Sequence, residues 1–413
     1  MNFDEAVQYL LGLGHETLTI KLGLRNTELL LQALNNPERA FLSVQIAGTN
    51  GKGSTAAMLD SICRAAGIKT GLYTSPHLVS ITERIRINGS EISPEDFARH
   101  ATTVRTVAEE LRDRRQIDAL PTFFEHVTAI ALLAFREAGV AVAILETGLG
   151  GRLDSTTAAN AAIVGITPIA MDHEDYLGDT LESIASEKAA VIRPGVTAVL
   201  AEQPPEALAV LLDRCAEAGV EPSLPPSTDL YENVLVNLRG RHQQQNKSVA
   251  IRLAKALHIP KAAIIRGLKT VQHAGRLELI ECHPNFILDG AHNPAGAEAL
   301  RDYLNESNTS WLTLVFAAMS NKKLDQIAAV LFPLADCLVL TTLDNPRAAP
   351  LEQLRPLAHR FARRAVLETP SSTEAVRTAI TQTPPEGLIC VTGSLYLIGE
   401  TRPLILKLAE QTA

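Results

Sequence analysis

Aromatic residues make up only 4% of this chain, and its five cysteines (Cys63, Cys215, Cys282, Cys337 and Cys390) are scattered without any CxxC spacing. With few aromatic rings available, the cores must be assembled mainly from Leu, Ile, Val and Ala. An odd number of unpatterned cysteines argues against a disulfide framework and fits reduced thiols in the cytoplasm. A basic excess is also missing: 38 Lys and Arg stand against 46 Asp and Glu, a formal charge of −8. Broad nucleic-acid binding needs a basic stripe, so that class is set aside. No apolar run approaches the roughly twenty residues of a membrane span. The N-terminal MNFDEAVQYLLGLGHE lacks the basic start of a signal peptide. The expectation is a cytoplasmic monomer acting on small molecules, with neither nucleic acid nor membrane as partner.

What the chain does have is length and alternation. Its 413 residues exceed what one hydrophobic core usually organises, which predicts two domains. Short aliphatic runs alternate with longer helical patterns, the signature of an α/β fold with parallel sheets. Strands are expected at Phe41–Ala47, Val140–Glu146, Ala161–Ala170 and Val196–Ala201. Helices are expected at Lys52–Ala66, Pro94–Arg112, Pro121–Glu137, Leu181–Ile192 and Pro205–Ala218. The order restarts at Asn285–Asp289, with further strands at Trp311–Phe316, Cys337–Thr342, Ala365–Glu368 and Leu388–Thr392. The pattern breaks near Val271–Arg276, which places a larger domain over residues 1–274 and a smaller, Rossmann-like one over 275–413. Pro222–Thr228 reads as a surface loop.

Between the first strand and its helix lies Gly48-Thr49-Asn50-Gly51-Lys52-Gly53-Ser54-Thr55. Glycines let backbone N–H groups approach a polyphosphate, and a helix N-terminus adds partial positive charge. Lys52 would neutralise the β- and γ-phosphates, with Ser54 or Thr55 placed to face them or a magnesium ion. The spacing departs from G-x-x-x-x-G-K-[ST], because Ile46 stands at the first glycine position. Glu146 ends the aliphatic strand, and strand C-termini of a parallel sheet gather at one edge, so it is a candidate for the metal beside the loop. Read alone, Ser75 is a turn residue before proline, His173 belongs to a solvated acidic turn, and Lys188 is a surface charge. Phe123 and Phe124 read equally well as core residues at a helix start.

The motifs GTNGKGST, TSPHL, TERIRING, FFEHVTA, ETGLGGRLDST, DHEDYLG, SEKAAVIRPG, HQQQN, GRLE, DGAHNP, NPRA and GSLYLIGE occur in that order. As an ordered set it resembles folylpolyglutamate synthase, in bacteria often also dihydrofolate synthase, within the Mur ligase family. The resemblance implies an α/β, P-loop Mur-ligase-like ATP-binding domain followed by a glutamate-ligase domain. It further implies that Thr49, Asn50, Gly51, Lys52, Gly53 and Ser54 hold ATP phosphates, with Asn246, Arg276 and Asp289 as further nucleotide contacts. Ser75 and Glu146 would ligate one Mg²⁺ and His173 a second, supported by a carbamylated Lys188. Thr122, Phe123, Phe124, Glu125, Leu153, Asp154 and Ser155 would line the pterin side, with Ile20, Lys21 and Leu22 beside them. Lys52, Lys188 and His292 are the catalytic candidates, His292 on the glutamate side. Lys21 stands where bifunctional relatives often carry an acid, and Arg25-Asn26 replaces their Glu-Arg, so this loop is the least matched part.

The implied reaction is ATP-dependent ligation of L-glutamate to a folate, and to dihydropteroate, through an acyl phosphate, releasing ADP and phosphate. A monofunctional enzyme with one of the two activities is the alternative within ligases. A small-molecule kinase using the same loop is the alternative outside them. A cell-wall Mur ligase fits less well, because too little chain precedes Gly48 for its extra N-terminal domain.

Overall fold

The structure is a computed structural model that describes residues 1–14, 23–225, 233–307 and 309–412. Ile20, Lys21 and Leu22 lie outside the described residues, as does part of the anticipated loop Pro222–Thr228. The chain forms two compact units, one of Met1–Asn237 with Gln244–Val271, the other of Leu238–Gln243 with Gln272–Ala413.

The first unit is built on β1 (Leu42–Ala47), β2 (Thr70–Tyr73), β3 (Ile85–Ile87), β4 (Ser90–Glu91), β5 (Val142–Glu146), β6 (Ile163–Ile166) and β7 (Thr197–Leu200). Their order across the sheet is β4-β3-β2-β5-β1-β6-β7. From β2 to β7 the neighbours are parallel, whereas β3 and β4 pair antiparallel as a hairpin at one edge. β5 is buried along its whole length, as its all-aliphatic sequence predicts for a strand covered on both faces. Helix Lys52–Ala65 returns the chain from β1 to β2 and is itself backed by helix Lys261–Thr270. The two helices meet backbone to backbone: a Cβ at Gly267 would stand 2.4 Å from the Ile62 Cα, and Ser61 Oγ donates to the Gly267 carbonyl at 2.8 Å. The helix that begins at Lys52 is therefore held on both sides.

The first sheet departs from the sequence reading at its sixth strand and at its edge. The strand expected over Ala161–Ala170 ends at Ile166, because the chain there turns outward through Pro168 to meet the loop after β1. The β3–β4 hairpin was not expected. Its Arg-Ile-Arg-Ile sequence is short and only half-buried, so its period-2 signal is weak.

The second unit contains β8 (Glu278–Ile280), β9 (Asn285–Asp289), β10 (Leu312–Phe316), β11 (Cys337–Leu340), β12 (Ala365–Glu368) and β13 (Leu388–Thr392), in the order β12-β11-β10-β13-β9-β8. Only β8 runs antiparallel. Its core is aliphatic, with Phe316 and Phe332 edge to face at 5.0 Å. All five cysteines are free thiols, and no described helix is long and apolar enough to cross a membrane.

Candidate active site

Strand register fixes where the motifs meet. Ile46 pairs with Glu146, Ala47 with Ile166, and Tyr73 with Leu145, so β1, β2, β5 and β6 end together. The loops that follow them leave from one edge of the sheet, where α/β folds bind ligands. That edge gathers the glycine-rich loop, Ser75, Glu146 and the segment from Thr167 to His173.

The glycine-rich loop is held from below. Thr49 and Asn50 donate their N–H groups to the Pro168 carbonyl at 3.0 and 3.2 Å, and Thr49 Oγ1 exchanges bonds with the Ala170 backbone. Gly51, at φ +85°, caps the helix that starts at Lys52, and a Cβ there would lie 2.1 Å from Asn246 Oδ1. Asn246 is thereby brought to the loop from a distant helix, Gln243–Ala256. Gly48, at φ +142°, is equally constrained: its Cβ would overlap Thr167 Oγ1 at 1.9 Å. Lys52 folds back so that Nζ donates to the Gly48 and Thr49 carbonyls, both at 3.2 Å.

Lys188, which reads as a surface charge, is buried, with 4% of its surface exposed. Its Nζ donates to the same Gly48 carbonyl at 2.7 Å. Burial first, and then the Lys52 charge, bring its pKa down to about 7. A large fraction of this amine is therefore neutral near pH 7, the form able to react with carbon dioxide.

The Ser75 N–H donates to Glu146 Oε2 at 3.1 Å, which sets a hydroxyl-bearing residue beside a buried carboxylate. These are hard oxygen donors. Among the described residues no cluster of three or more His, Cys, Asp or Glu could hold a metal ion. That donor set fits Mg²⁺, which commonly takes one or two protein oxygens and completes its shell with phosphates and water. His173 adopts φ +54° at the start of the short helix Glu174–Leu177, with Nε2 3.9 Å from Asp172 Oδ2.

A second group lines the side next to β2 and β5. Asp154 is buried and accepts from the Gly148 and Leu149 N–H groups at 2.8 and 3.0 Å and from the Thr156 N–H at 3.0 Å. Burial pushes its carboxyl up, and these bonds pull the other way. Asp154 thus shapes the ETGLGGRLDST loop from inside, while Leu153 is 37% exposed. Phe124 lies over Gly148, where a Cβ would stand 2.6 Å from its ring, and its centroid is 5.9 Å from that of Tyr73. Ser155 joins Thr128 at 3.2 Å, and Thr128 reaches the Tyr73 hydroxyl at 3.3 Å.

Phe123 and Glu125 are placed differently from Phe124. Phe123 is 4% exposed, in the core, with the Arg84 guanidinium 5.2 Å from its ring centroid. Glu125 is 7% exposed: Oε2 accepts from the Thr122 N–H at 2.7 Å and Oε1 from Thr27 Oγ1 at 3.1 Å. With both oxygens engaged, Glu125 caps its helix and ties it to helix Arg25–Ala33, supporting the wall from behind.

In the second unit Asp289 is buried at the end of β9, accepting from the Leu277 N–H at 2.9 Å and the Ala291 N–H at 3.0 Å. Burial pushes its carboxyl up against the charges of Arg276 and His242. The His292 Nδ1–H donates to the Gly290 carbonyl at 2.7 Å, which fixes the ring against that turn. Sequence reasoning missed Thr167 and Pro168, whose backbone seats the phosphate loop. The only available signal was their position directly after β6.

Comparison with known proteins follows the same division. Residues 46–209 match the Mur ligase middle domain, and residues 275–395 the Mur ligase, glutamate ligase domain. The chain is 34% identical to the dihydrofolate synthase/folylpolyglutamate synthase of Bacillus subtilis, over 93% of this chain and 95% of that one. It is 35% identical to a probable bifunctional folylpolyglutamate synthase/dihydropteroate synthase of Halobacterium salinarum over 97% of its own length, and spans about half (51%) of that longer protein. Among solved structures, the Mycobacterium tuberculosis folylpolyglutamate synthase complexed with ADP superimposes with a TM-score of 0.91, at 31% identity and 98% and 99% coverage. A bifunctional folylpolyglutamate synthase/dihydrofolate synthase solved with Mn, AMPPNP and L-glutamate bound gives 0.86, at 29% identity and 98% coverage of both chains.

Proposed function

We propose, since this chain belongs to the dihydrofolate synthase/folylpolyglutamate synthase branch of the Mur ligase family, that it joins L-glutamate to folates and to dihydropteroate at the expense of ATP. The observation that supports this most directly is the gathering of the glycine-rich loop, Ser75, Glu146 and Lys188 at one sheet edge.

A carboxylate does not condense with an amine in neutral water, because its oxide is too poor a leaving group. In the proposed reaction a carboxylate oxygen of the acceptor attacks the γ-phosphorus, and the bond to the ADP oxygen breaks. The glutamate amine then attacks the carbonyl carbon of the acyl phosphate, a C–N bond forms, and phosphate leaves with the former carboxylate oxygen. Lys52 and the loop N–H groups from Gly51 to Ser54 stabilise the charge on the transferring group, because the Thr49 and Asn50 bonds to Pro168 order the loop before the reaction begins. Ser75 and Glu146 are the residues that would hold one Mg²⁺, and His173 and Lys188 a second. Such a bound cation supplies charge neutralisation for the phosphate oxygens.

Lys188 takes part as its carbamate: the neutral Nζ bonds to CO₂ and releases a proton, replacing a cation with an anionic oxygen ligand. Phe124 and Leu153 contact the pteridine, whereas Asp154, Ser155, Phe123, Glu125 and Thr122 hold that wall in shape. Asn246, Arg276 and Asp289 serve the nucleotide, and His292 the incoming glutamate.

The test is incorporation of labelled glutamate into dihydropteroate and tetrahydrofolate, assayed separately with ATP and Mg²⁺. Glutamate-dependent release of phosphate with either acceptor supports the ligase. ATP consumption that ignores glutamate points to a kinase and overturns it.

A further inference from the structure

The Thr74–Ser80 segment, which bears Ser75, is gripped by two neighbouring residues of opposite charge. Glu83 accepts the N–H groups of Leu78, Val79 and Ser80, each at 2.8 Å. Arg84 takes the other end of the loop: its carbonyl accepts from the Thr74 N–H at 3.0 Å, and its Nε–H donates to His77 Nδ1 at 2.8 Å. The same guanidinium lies 5.2 Å from the centroid of Phe123, whose neighbour Phe124 forms the wall beside Gly148. Arg84 is 2% exposed, so this arginine sits inside the fold and makes these contacts away from bulk water.

The chemistry of the pair is one-sided. A guanidinium has N–H donors and no acceptor, so the His77 Nδ1 that meets it must present its lone pair. The ring proton then resides on Nε2, and the imidazole is fixed in one tautomer and one orientation, two residues from Ser75. From this we infer that Arg84 is a positioning residue for the ligase reaction. It locks His77 as an Nε2–H donor and binds the Ser75 loop and the Phe123–Phe124 helix start into one rigid body. The reacting carboxyl end of the acceptor and its pteridine end are thereby set by the same side chain. The inference rests on the reaction proposed above for its kinetic arm, and stands on this geometry for its spectroscopic arm.

Arg84→Lys keeps the charge while removing the Nε–H and the planar face, and His77→Asn removes the ring. Nitrogen-15 NMR of labelled histidine, with the His77 signals assigned by their loss in His77→Asn, reads the tautomer directly. Wild type is expected to show a bare Nδ1 and a protonated Nε2, and Arg84→Lys a mixture of tautomers. In kinetics, Arg84→Lys is expected to lower kcat/KM for the folate acceptor roughly ten- to a hundredfold, the range of one hydrogen bond to a charged group. Adding His77→Asn to it should cost little more, because the two residues act as a unit. ADP affinity measured without divalent metal should stay within about twofold.

A His77 spectrum unchanged by Arg84→Lys overturns the proposal. So does full additivity of the two substitutions, or a parallel loss of ADP affinity and melting temperature that marks a general structural defect. Should wild type fail to ligate glutamate at all, the proposed reaction falls, and the NMR arm still decides whether Arg84 fixes His77.

Discussion

At the scale of single residues, the decisive feature is how far burial departs from what composition suggests. Lys188 and His126 show it with the same charge logic in two pH windows, since burial disfavours the cation of each. Lys188 is held near pKa 7 when folded, whereas an unfolded lysine titrates near 10.5. Between those values the unfolded chain binds more protons, so stability should rise with pH across this window. Measured in CO₂-free buffer, Lys188→Met should flatten that rise relative to wild type, and an equal slope in both proteins would contradict the assigned burial. His126 is fully buried, bonded to the Thr122 carbonyl at 3.1 Å and the Tyr9 hydroxyl at 3.3 Å. Burial takes its pKa down to about 4. The unfolded chain gains this proton near pH 6.5 and the folded one only near 4, so stability is lost as pH falls through that interval, by up to about 3 kcal/mol. Denaturant melts of His126→Phe against wild type from pH 7 to 4 should show the variant losing less. Neither residue's environment was legible in sequence: a lysine at helical spacing carries no mark of the loop carbonyl that lies above it.

At the scale of elements, the phosphate loop was readable because its function needs backbone conformations that only glycine adopts easily. The structure adds what each glycine avoids. Gly51 at φ +85° faces Asn246, and Gly48 faces Thr167, whereas Gly219 at φ +64° ends a helix with nothing within 4 Å of a Cβ. Gly51→Ala should therefore combine backbone strain with displacement of Asn246 and weaken ADP binding by at least about tenfold. Gly219→Ala should cost roughly 1 kcal/mol of stability and leave ADP affinity unchanged. Calorimetric titration of both variants checks this, and equal affinities would show that the loop tolerates the change. The end of β5 was legible in the pattern too, since the aliphatic run to Glu146 predicts a two-sided buried strand, whereas the end of β6 at Ile166 was not. The β3–β4 hairpin and helix Gln243–Ala256 were not, because a short half-exposed hairpin and a polar helix start carry little periodic signal. The helix start at Thr122 shows a finer limit. FFEHVTA marks the element, yet which of its residues meets ligand and which meets core depends on Arg84 and Thr27, far away in sequence.

At the scale of the whole molecule, length and alternation point to an α/β chain of two sheets, as found, and ordered motifs across nearly the full chain carry the family resemblance. The second unit contributes its own buried acid, Asp289, on which Arg276 and His242 bear. Arg276→Ala should lower turnover at least about tenfold while the melting temperature stays within a few degrees. An unchanged rate would remove this unit's arginine from the reaction. The central claim is that a carboxylate oxygen passes to phosphate by way of an acyl phosphate. It is tested most directly with an acceptor whose reacting carboxylate carries oxygen-18. Ligation of glutamate should place one labelled oxygen in each phosphate released. Glutamate joined with phosphate free of that label would contradict the mechanism.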